Sequence, residues 1–208
     1  MMPNGNLITW AFPHANVGTN PVSPLVVGQD GDYYGTMPFG GNTGSGTVFK
    51  MTPSGLITLL LNFASTNGSS PRASLVLGRD GNFYGTTNGG PTTTGLNSDG
   101  FGTVFKITAS GVFETLHYFD KSSGVKSLSA LVQGRDGDFY GTSRYGGSKD
   151  NGVVFKITPS GTLTTLVDFG KSPGSNPTSA LLQVRDGNFY GTTESGGGNE
   201  GTIFNMMR

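Results

Sequence analysis

The sequence predicts an all-β protein, namely a four-bladed β-propeller built of four-stranded antiparallel blades. Three observations carry this prediction. Gly accounts for 36 of the 208 residues, more than twice its average share. The apolar residues fall in short runs rich in Val, Leu, Ile, Phe and Tyr, which is the composition of strands. One phrase of seven residues occurs four times at intervals of about 50 to 56 residues, close to the length of a propeller blade.

The recurring phrase marks the first half of each blade. It reads Asp-Gly, then Asp or Asn, then an aromatic residue followed by Tyr-Gly-Thr. Asp-Gly between two apolar runs is a hairpin signal, so it predicts the turn between the first and second strands. A later triplet such as Pro159-Ser160-Gly161 predicts the turn between the third and fourth strands, because Pro presets φ and Gly supplies a positive φ. Each repeat is therefore expected to form four short strands.

The two ends of the sequence predict how the ring closes. The fourth repeat stops after its third strand, whereas residues 3–12 align with the missing fourth strand. Pairing the N-terminal strand with the C-terminal blade would complete four blades and remove two exposed sheet edges. The sequence leaves open whether the closing strand comes from the same molecule or from another. The closing residues are predicted to be Leu7, Ile8, Trp10, Ile203 and Phe204. In this single domain the blades are predicted at about 22–63, 72–119, 128–169, and 178–208 together with 3–12.

Charge and composition argue against several function classes. Lys plus Arg and Asp plus Glu number 13 each, so no excess of positive charge is available for nucleic-acid phosphates or anionic lipids. No stretch reaches the roughly 20 apolar residues that span a bilayer. The chain contains no Cys, which excludes disulfides and thiolate metal sites. We therefore expect no nucleic-acid partner, no membrane insertion, no metal and no cofactor.

Two residues repeated in every blade could form symmetric sites or could be structural. An Asp before Gly commonly accepts backbone N–H bonds within its own turn. A Tyr on the second strand could stack on a sugar ring, but strand periodicity places it on a face that packs against a neighbouring blade. We expect both sets to be structural. They are Asp30, Asp80, Asp136 and Asp186, and Tyr34, Tyr84, Tyr140 and Tyr190.

The loops that follow the second strands differ most among the blades, and function on a repeat scaffold usually lies in such loops. The loops between successive blades repeat a Gly, a Thr or Ser, an Asn and a Pro, which predicts either a ligand-contact rim or tight turns. The candidate ligand or interface residues from the two sets of loops are Phe39, Phe101, Arg144, Tyr145, Glu194, Asn20 and Asn176.

Several phrases resemble a known tandem repeat. Residues 129–134, 186–193 and 102–108 closely resemble the GloVer (Gloeobacter–Verrucomicrobia) repeat of bacterial surface proteins, and the resemblance covers nearly the whole chain. It implies an exported repeat protein, extracellular or on the bacterial surface, with no established activity. The Asp-Gly-Asn-aromatic turn is also similar to that of streptogramin lyase type propellers, but His14 and His117 bring no matching acidic motif.

The sequence favours a structural protein over an enzyme. Zero net charge and a terminal strand that a neighbour could supply predict self-assembly into a fibre or surface array, with the protein itself as the main partner. The alternative is a carbohydrate-binding module, favoured by the repeated aromatic residues and by the habit of propellers to bind ligands between blades. A lyase-type enzyme is the third hypothesis, and His117 near Glu114 or Asp120 is its only His-acid combination. We expect no catalytic residue.

Overall fold

The computed structural model describes residues 7–10, 17–90, 100–170, 174–196 and 200–207. Across these ranges the chain forms four separate antiparallel sheets of four strands each and no α-helix. The first sheet contains β1 (Val26–Val27), β2 (Tyr33–Met37), β3 (Thr47–Met51) and β4 (Ile57–Asn62). The second contains β5 (Val76–Leu77), β6 (Phe83–Thr87), β7 (Thr103–Ile107) and β8 (Phe113–Tyr118). The third contains β9 (Val132–Gln133), β10 (Phe139–Ser143), β11 (Val153–Ile157) and β12 (Leu163–Asp168).

The fourth sheet differs slightly in its inner edge. It contains β13 (Ser175–Pro177), β14 (Leu182–Gln183), β15 (Phe189–Ser195) and β16 (Thr202–Met206). Here β14 pairs with the first half of β15 and β13 with the second half, while β16 pairs along the other side. In the other three sheets single bridges replace β13, and they join Thr19 to Phe39, Ser69 to Gly89 and Val125 to Tyr145. We number the four sheets as blades 1 to 4.

The blades share one register, as the repeated phrase predicts. The tyrosine of each second strand pairs with Lys50, Lys106, Lys156 or Asn205 on the third strand. In blades 1 to 3 the third and fourth strands also share a β-bulge, which follows Val48, Val104 or Val154. Equal local sequence therefore produces equal pairing, and the predicted all-β architecture of four-stranded antiparallel blades is confirmed.

Aromatic stacks join each blade to the next. The tyrosine of one second strand stacks on the phenylalanine that begins the next second strand, with ring centroids 3.9–4.1 Å apart. A second layer packs edge to face at 5.2–5.3 Å. Such pairs contribute about 0.5–1.5 kcal/mol each beyond the area that they bury. The stacked pairs are Tyr34–Phe83, Tyr84–Phe139 and Tyr140–Phe189, and the edge pairs are Phe63–Phe105, Phe119–Phe155 and Phe169–Phe204.

The glycine after each of these tyrosines makes room for a ring. A Cβ at Gly141 would overlap the Phe155 ring from the third strand and a methyl group of Leu131. Gly85 faces Phe105 and Leu75 in the same way. The Gly of the repeated phrase is therefore required by close packing inside the blade.

The predicted ring closure is not shown. Residues 7–10 lie outside any strand, and β16 pairs with β15 alone among the described residues. Leu7, Ile8 and Ile203 are exposed by 86%, 64% and 80%, so they do not bury one another. The other parts of the predicted closing strand, residues 3–6 and 11–12, lie outside the described residues.

A side-chain contact with blade 1 explains where the N-terminal segment lies. The Trp10 ring covers Gly55, in the turn between β3 and β4, so closely that a Cβ on Gly55 would overlap it. In blades 2 and 3, the equivalent Gly111 and Gly161 face the backbone of Leu60 and Leu116, on the fourth strand of the preceding blade. Trp10 thus contacts blade 1 in the way that the fourth strand of one blade contacts the next blade. The backbone of residues 7–10 is nevertheless not paired with β16.

Candidate functional site

The repeated aspartates and tyrosines bond to each other in blades 1 to 3. Asp30 Oδ1 accepts a hydrogen bond from the backbone N–H of Asp32, and its Oδ2 accepts one from the Tyr34 hydroxyl at 2.7 Å. Blades 2 and 3 repeat the tyrosine bond at 2.8 and 2.7 Å. The turn of Asp186 is braced by the backbone and side-chain amides of Asn188. No group of three or more His, Asp and Glu side chains in the described ranges could hold a metal ion.

These bonds shift the pKa values of both partners. The Tyr34 hydroxyl lowers the pKa of Asp30, because its hydrogen bond stabilises the carboxylate. Burial, followed by the bond to Asp30, raises the pKa of Tyr34 to about 12. Burial and Asp80 raise the pKa of Tyr84 as well. Both phenols are therefore harder to ionise in the folded protein than in the unfolded chain.

Alkaline pH is expected to unfold the protein as these tyrosines ionise. The pKa of Tyr34 is about 12 in the folded protein, against an ordinary tyrosine value of 10.0. The stabilisation that depends on the neutral phenol is thus complete below pH 10 and lost as the pH rises through 12. Circular dichroism and phenolate absorbance, recorded together across this range, should change in one step. In a control variant, Tyr34→Phe with Tyr84→Phe, this step should be smaller; an unchanged step would refute the assignment.

A cleft opens between blades 2 and 3 at the rim formed by the loops after β2, β6, β10 and β15. It measures about 270 Å³, and we call it the rim cleft. Three of its side chains are cations, and Glu194 forms an ion pair with one of them, Arg144, at 2.7 Å. The lining residues are Arg72, Asn88, Lys126, Leu128, Arg144 and Tyr145.

Two loops hold the blade 3 side of the rim cleft. The bridge between Val125 and Tyr145 joins the loop that enters blade 3 to the loop that follows β10. The backbone N–H of Arg144 donates to the Lys126 carbonyl, and the Asn176 side-chain amide donates to the Arg144 carbonyl at 3.0 Å. The loop that enters blade 3 and the loop after β10 therefore hold each other in place, and Asn176 of blade 4 also holds the backbone of Arg144.

Lys126 occupies a backbone conformation that suits other residues better. Its φ is 56°, and the equivalent Asn20, Ser70 and Asn176 have φ values of 58°, 51° and 58°. Asn tolerates this left-handed region because its short side chain can bond locally, whereas Lys has no such means. Unfavourable backbone conformations of this kind cluster at ligand sites. Lys126 is thus a departure from the repeat that adds a charge to the cleft at a conformational cost.

Two buried polar atoms in the rim cleft lack a hydrogen-bond partner in the described structure. They are Nε of Arg144 and Oδ1 of Asn88. Leaving such an atom unsatisfied costs about 1–3 kcal/mol, and more for a charged group. The Tyr145 ring lies between the cations, with the Arg144 guanidinium 5.2 Å and Lys126 Nζ 5.9 Å from its centroid. The site combines unused hydrogen-bonding capacity with positive charge and an aromatic ring.

The structure brings together some of the predicted site residues and separates others. Arg144, Tyr145 and Glu194 meet at the cleft, and Asn176 supports it. Phe39 is not a lining residue of the cleft, but its ring lies 5.3 Å from the guanidinium of Arg72, which is one. Phe101 instead packs against the hydrophobic core of blades 2 and 3, and Asn20 lies in the equivalent turn of blade 1.

Sequence reasoning missed four cleft residues: Arg72, Asn88, Lys126 and Leu128. A comparison of the repeats position by position contains the signal for two of them. Arg72 stands where the other blades have Val22, Leu128 and Thr178. Lys126 stands where they have Asn or Ser. Departures from a repeat mark the positions that packing does not dictate.

His117 does not form a catalytic arrangement. Its Nε2 lies 3.5 Å from Ser123 Oγ, but that hydroxyl donates to Asp120 Oδ1 at 2.9 Å. Hydrogen bonds from Ser122 and Ser123 lower the pKa of Asp120 to about 2, and burial lowers the pKa of His117. Glu114 pairs with Lys106 at 2.6 Å. The group braces a turn, while His14 lies outside the described residues.

The sequence repeat identifies the family. Residues 3–126 and 92–208 match the profile of the Gloeobacter/Verrucomicrobia repeat. The chain belongs to this repeat family. The family resemblance that the repeated phrases predicted is therefore confirmed. A search of curated proteins finds no match.

Solved structures show the same fold at low sequence identity. A streptogramin B lyase structure is 20% identical with a TM-score of 0.62, covering 96% of this chain and 57% of that one. Virginiamycin B lyase from Staphylococcus aureus is 16% identical, with a TM-score of 0.55 and 86% and 54% covered. The periplasmic gluconolactonase PpgL from Pseudomonas aeruginosa is 18% identical, with a TM-score of 0.54 and 91% and 57% covered. The four sheets are propeller blades, and the chain spans slightly more than half of each of these proteins.

The comparisons correct the predicted function. A structural protein that assembles into a fibre or surface array is the wrong prediction, because the similar propellers are lyases and a gluconolactonase. The prediction failed because zero net charge and an unpaired terminal strand permit assembly without requiring it. Among the described residues, no helix is long and apolar enough to cross a membrane.

Proposed function

We propose that this repeat protein is a ligand-binding propeller module that holds a small anionic molecule in the rim cleft without converting it. One observation carries the proposal: the buried Nε of Arg144 has no partner, and it belongs to a cation that lines a cleft with two others. An anionic ligand would supply the missing acceptor. Arg suits this role because its planar donors match the geometry of a carboxylate or phosphate.

The charge of the rim cleft supports an anionic ligand. Arg72, Lys126 and Arg144 line the cleft and Glu194 pairs with Arg144, which leaves an excess of two positive charges among these four side chains. The chain as a whole has a net charge of zero. A local excess in a concave site raises the concentration of counter-charged ligands there.

The chemistry of the lining residues supports binding over turnover. General acid-base catalysis needs a side chain that exchanges protons near the working pH, most often His, Glu or Asp. The described residues that line the rim cleft include no His, Glu or Asp, and the adjoining Glu194 is paired with Arg144. Lys126 and Tyr145 are the only groups among these lining residues that could transfer a proton. Since similar structures include a lyase and a gluconolactonase, turnover is the competing hypothesis.

Calorimetry with acetate and with inorganic phosphate at low salt would test the proposal. We expect binding of at least one anion, with affinity about tenfold lower in Arg144→Gln and in Lys126→Gln. The matched controls are Arg185→Gln and Lys149→Gln, which change exposed residues that are not among those lining the cleft. If neither anion binds, or if all four variants weaken binding equally, the site is wrong. If the protein hydrolyses a lactone of a sugar acid in the same buffer, the proposal that it does not convert its ligand is wrong.

We further propose that residues 3–12 complete blade 4 as its fourth strand. Three features support this placement. Trp10 already covers Gly55, the outer side of β16 has no strand beside it in the described chain, and Leu166 is 39% exposed. A cavity of about 310 Å³, lined by Leu166, Met206 and other residues, lies between blades 3 and 4. Between blades 1 and 2 and between blades 2 and 3, the turn glycines Gly111 and Gly161 contact Leu60 and Leu116, which are equivalent to Leu166.

A further inference from the structure

We infer that the ligand of the rim cleft is a single hydroxylated sugar acid, of the uronic or aldonic class, and this inference rests on the proposed function. The two unpartnered atoms make opposite demands. Arg144 Nε is a donor and needs an acceptor, whereas Asn88 Oδ1 is an acceptor and needs a donor. A simple carboxylate such as acetate, which has no donor at neutral pH, satisfies only the first. A ligand that carries both a carboxylate and hydroxyl groups satisfies both.

The rim cleft has room for one sugar unit. About 270 Å³ is the space of roughly nine water molecules, at about 30 Å³ each. A six-carbon sugar acid in its ring form fits such a volume. The cleft therefore suits one sugar unit.

The walls of the cleft suit a sugar ring. Leu128 supplies an apolar surface, and the half-buried Tyr145 supplies a ring edge and a hydroxyl. Sugar rings present C–H groups on their faces and hydroxyls at their edges, so they pair with sites that mix apolar and polar contacts. Arg72 and Lys126 are exposed on the blade 2 and blade 3 sides of the cleft, where they attract the carboxylate.

The arrangement assigns a part of the ligand to each side chain. The carboxylate binds Arg144 Nε, with Lys126 as a second charge. A ring hydroxyl donates to Asn88 Oδ1. Both Arg144 and Asn88 are partly exposed although the two atoms are buried, so a rotation of each side chain presents its atom to the ligand. No covalent step is involved.

Calorimetry with glucuronate, glucose, acetate and inorganic phosphate tests the inference. We expect glucuronate to bind at least tenfold more tightly than the other three. Asn88→Ala should weaken glucuronate binding about fivefold to tenfold and leave acetate binding unchanged, because acetate donates no hydrogen bond. Arg144→Gln should weaken both. Asn42→Ala, at an exposed Asn in the corresponding loop of blade 1, is the matched control, and thermal unfolding shows whether each variant is folded.

Each alternative result has a distinct meaning. Equal binding of acetate and glucuronate, insensitive to Asn88→Ala, would overturn the sugar-acid inference and leave the anion site standing. Tighter binding of phosphate would do the same. Binding of glucose alone, or of none of the four probes, would overturn the inference and the proposed function together.

Discussion

Tyr84→Ala is expected to lower the free energy of unfolding by about 3–5 kcal/mol, the range for large aromatic truncations in a core. Tyr84 is fully buried between blades 2 and 3. Its ring stacks on Phe139 at 3.9 Å, and its hydroxyl donates to Asp80 at 2.8 Å. The variant leaves a cavity at the contact between blades, and the Asp80 carboxylate loses the hydrogen bond that it accepts from the Tyr84 hydroxyl. Urea unfolding followed by circular dichroism measures the loss.

Two companion variants separate the contributions. Tyr84→Phe keeps the stack and removes only the bond to a charged acceptor, so about 1.5–3 kcal/mol is expected. Tyr118→Ala removes a tyrosine that is 46% exposed on β8, for which a change within about 0.5 kcal/mol is expected. If Tyr84→Ala costs no more than Tyr118→Ala, the tyrosine stacks do not hold the blades together.

The double variant Ile8→Cys with Asn205→Cys is expected to form one intramolecular disulfide under oxidising conditions. In blade 3, Lys156 on the third strand pairs with Thr164 on the fourth, and these positions correspond to Asn205 and Ile8 in blade 4. Paired strand positions bring Cα atoms to about 5 Å, within the range of a disulfide. The chain has no other Cys, so this bond would be the only one.

The expected stabilisation is large because the disulfide would enclose nearly the whole chain. Loop-closure arguments give about 5 kcal/mol for so long a loop, seen as a higher unfolding temperature that returns to the original value on reduction. Non-reducing gels and mass measurement distinguish the products, and each single-Cys variant is the control. Disulfide-linked dimers would show that a second molecule supplies the strand, and persistent free thiols would show that residues 3–12 do not reach β16.

The blades could be predicted from the sequence because their signals are local. Asp-Gly and Pro-Ser-Gly act within a few residues, and the alternation of apolar residues sets which face is buried. Repetition then turns each weak signal into four independent ones. The bond between Tyr34 and Asp30 was within reach of the same reasoning, since the two residues flank one turn and recur together.

The rim cleft could be predicted only in part. Arg144, Tyr145 and Glu194 stood out because they lie in variable loops. Arg72 and Asn88 come from blade 2, while Lys126 comes from the loop that enters blade 3. Their meeting depends on how one blade packs against the next. No periodicity along the chain encodes that distance.

The sequence by itself determined the number of blades, their strands and the residues that link them, because hairpin turns and strand pairing depend on neighbours in the chain. Only the tertiary structure decided which side chains share the rim cleft and where the N-terminal segment lies. Stacks such as Tyr84 on Phe139 join neighbouring blades, and the Trp10 ring lies against Gly55 of blade 1. Contacts between blades join residues that are far apart in sequence, so they follow from packing and not from local propensity.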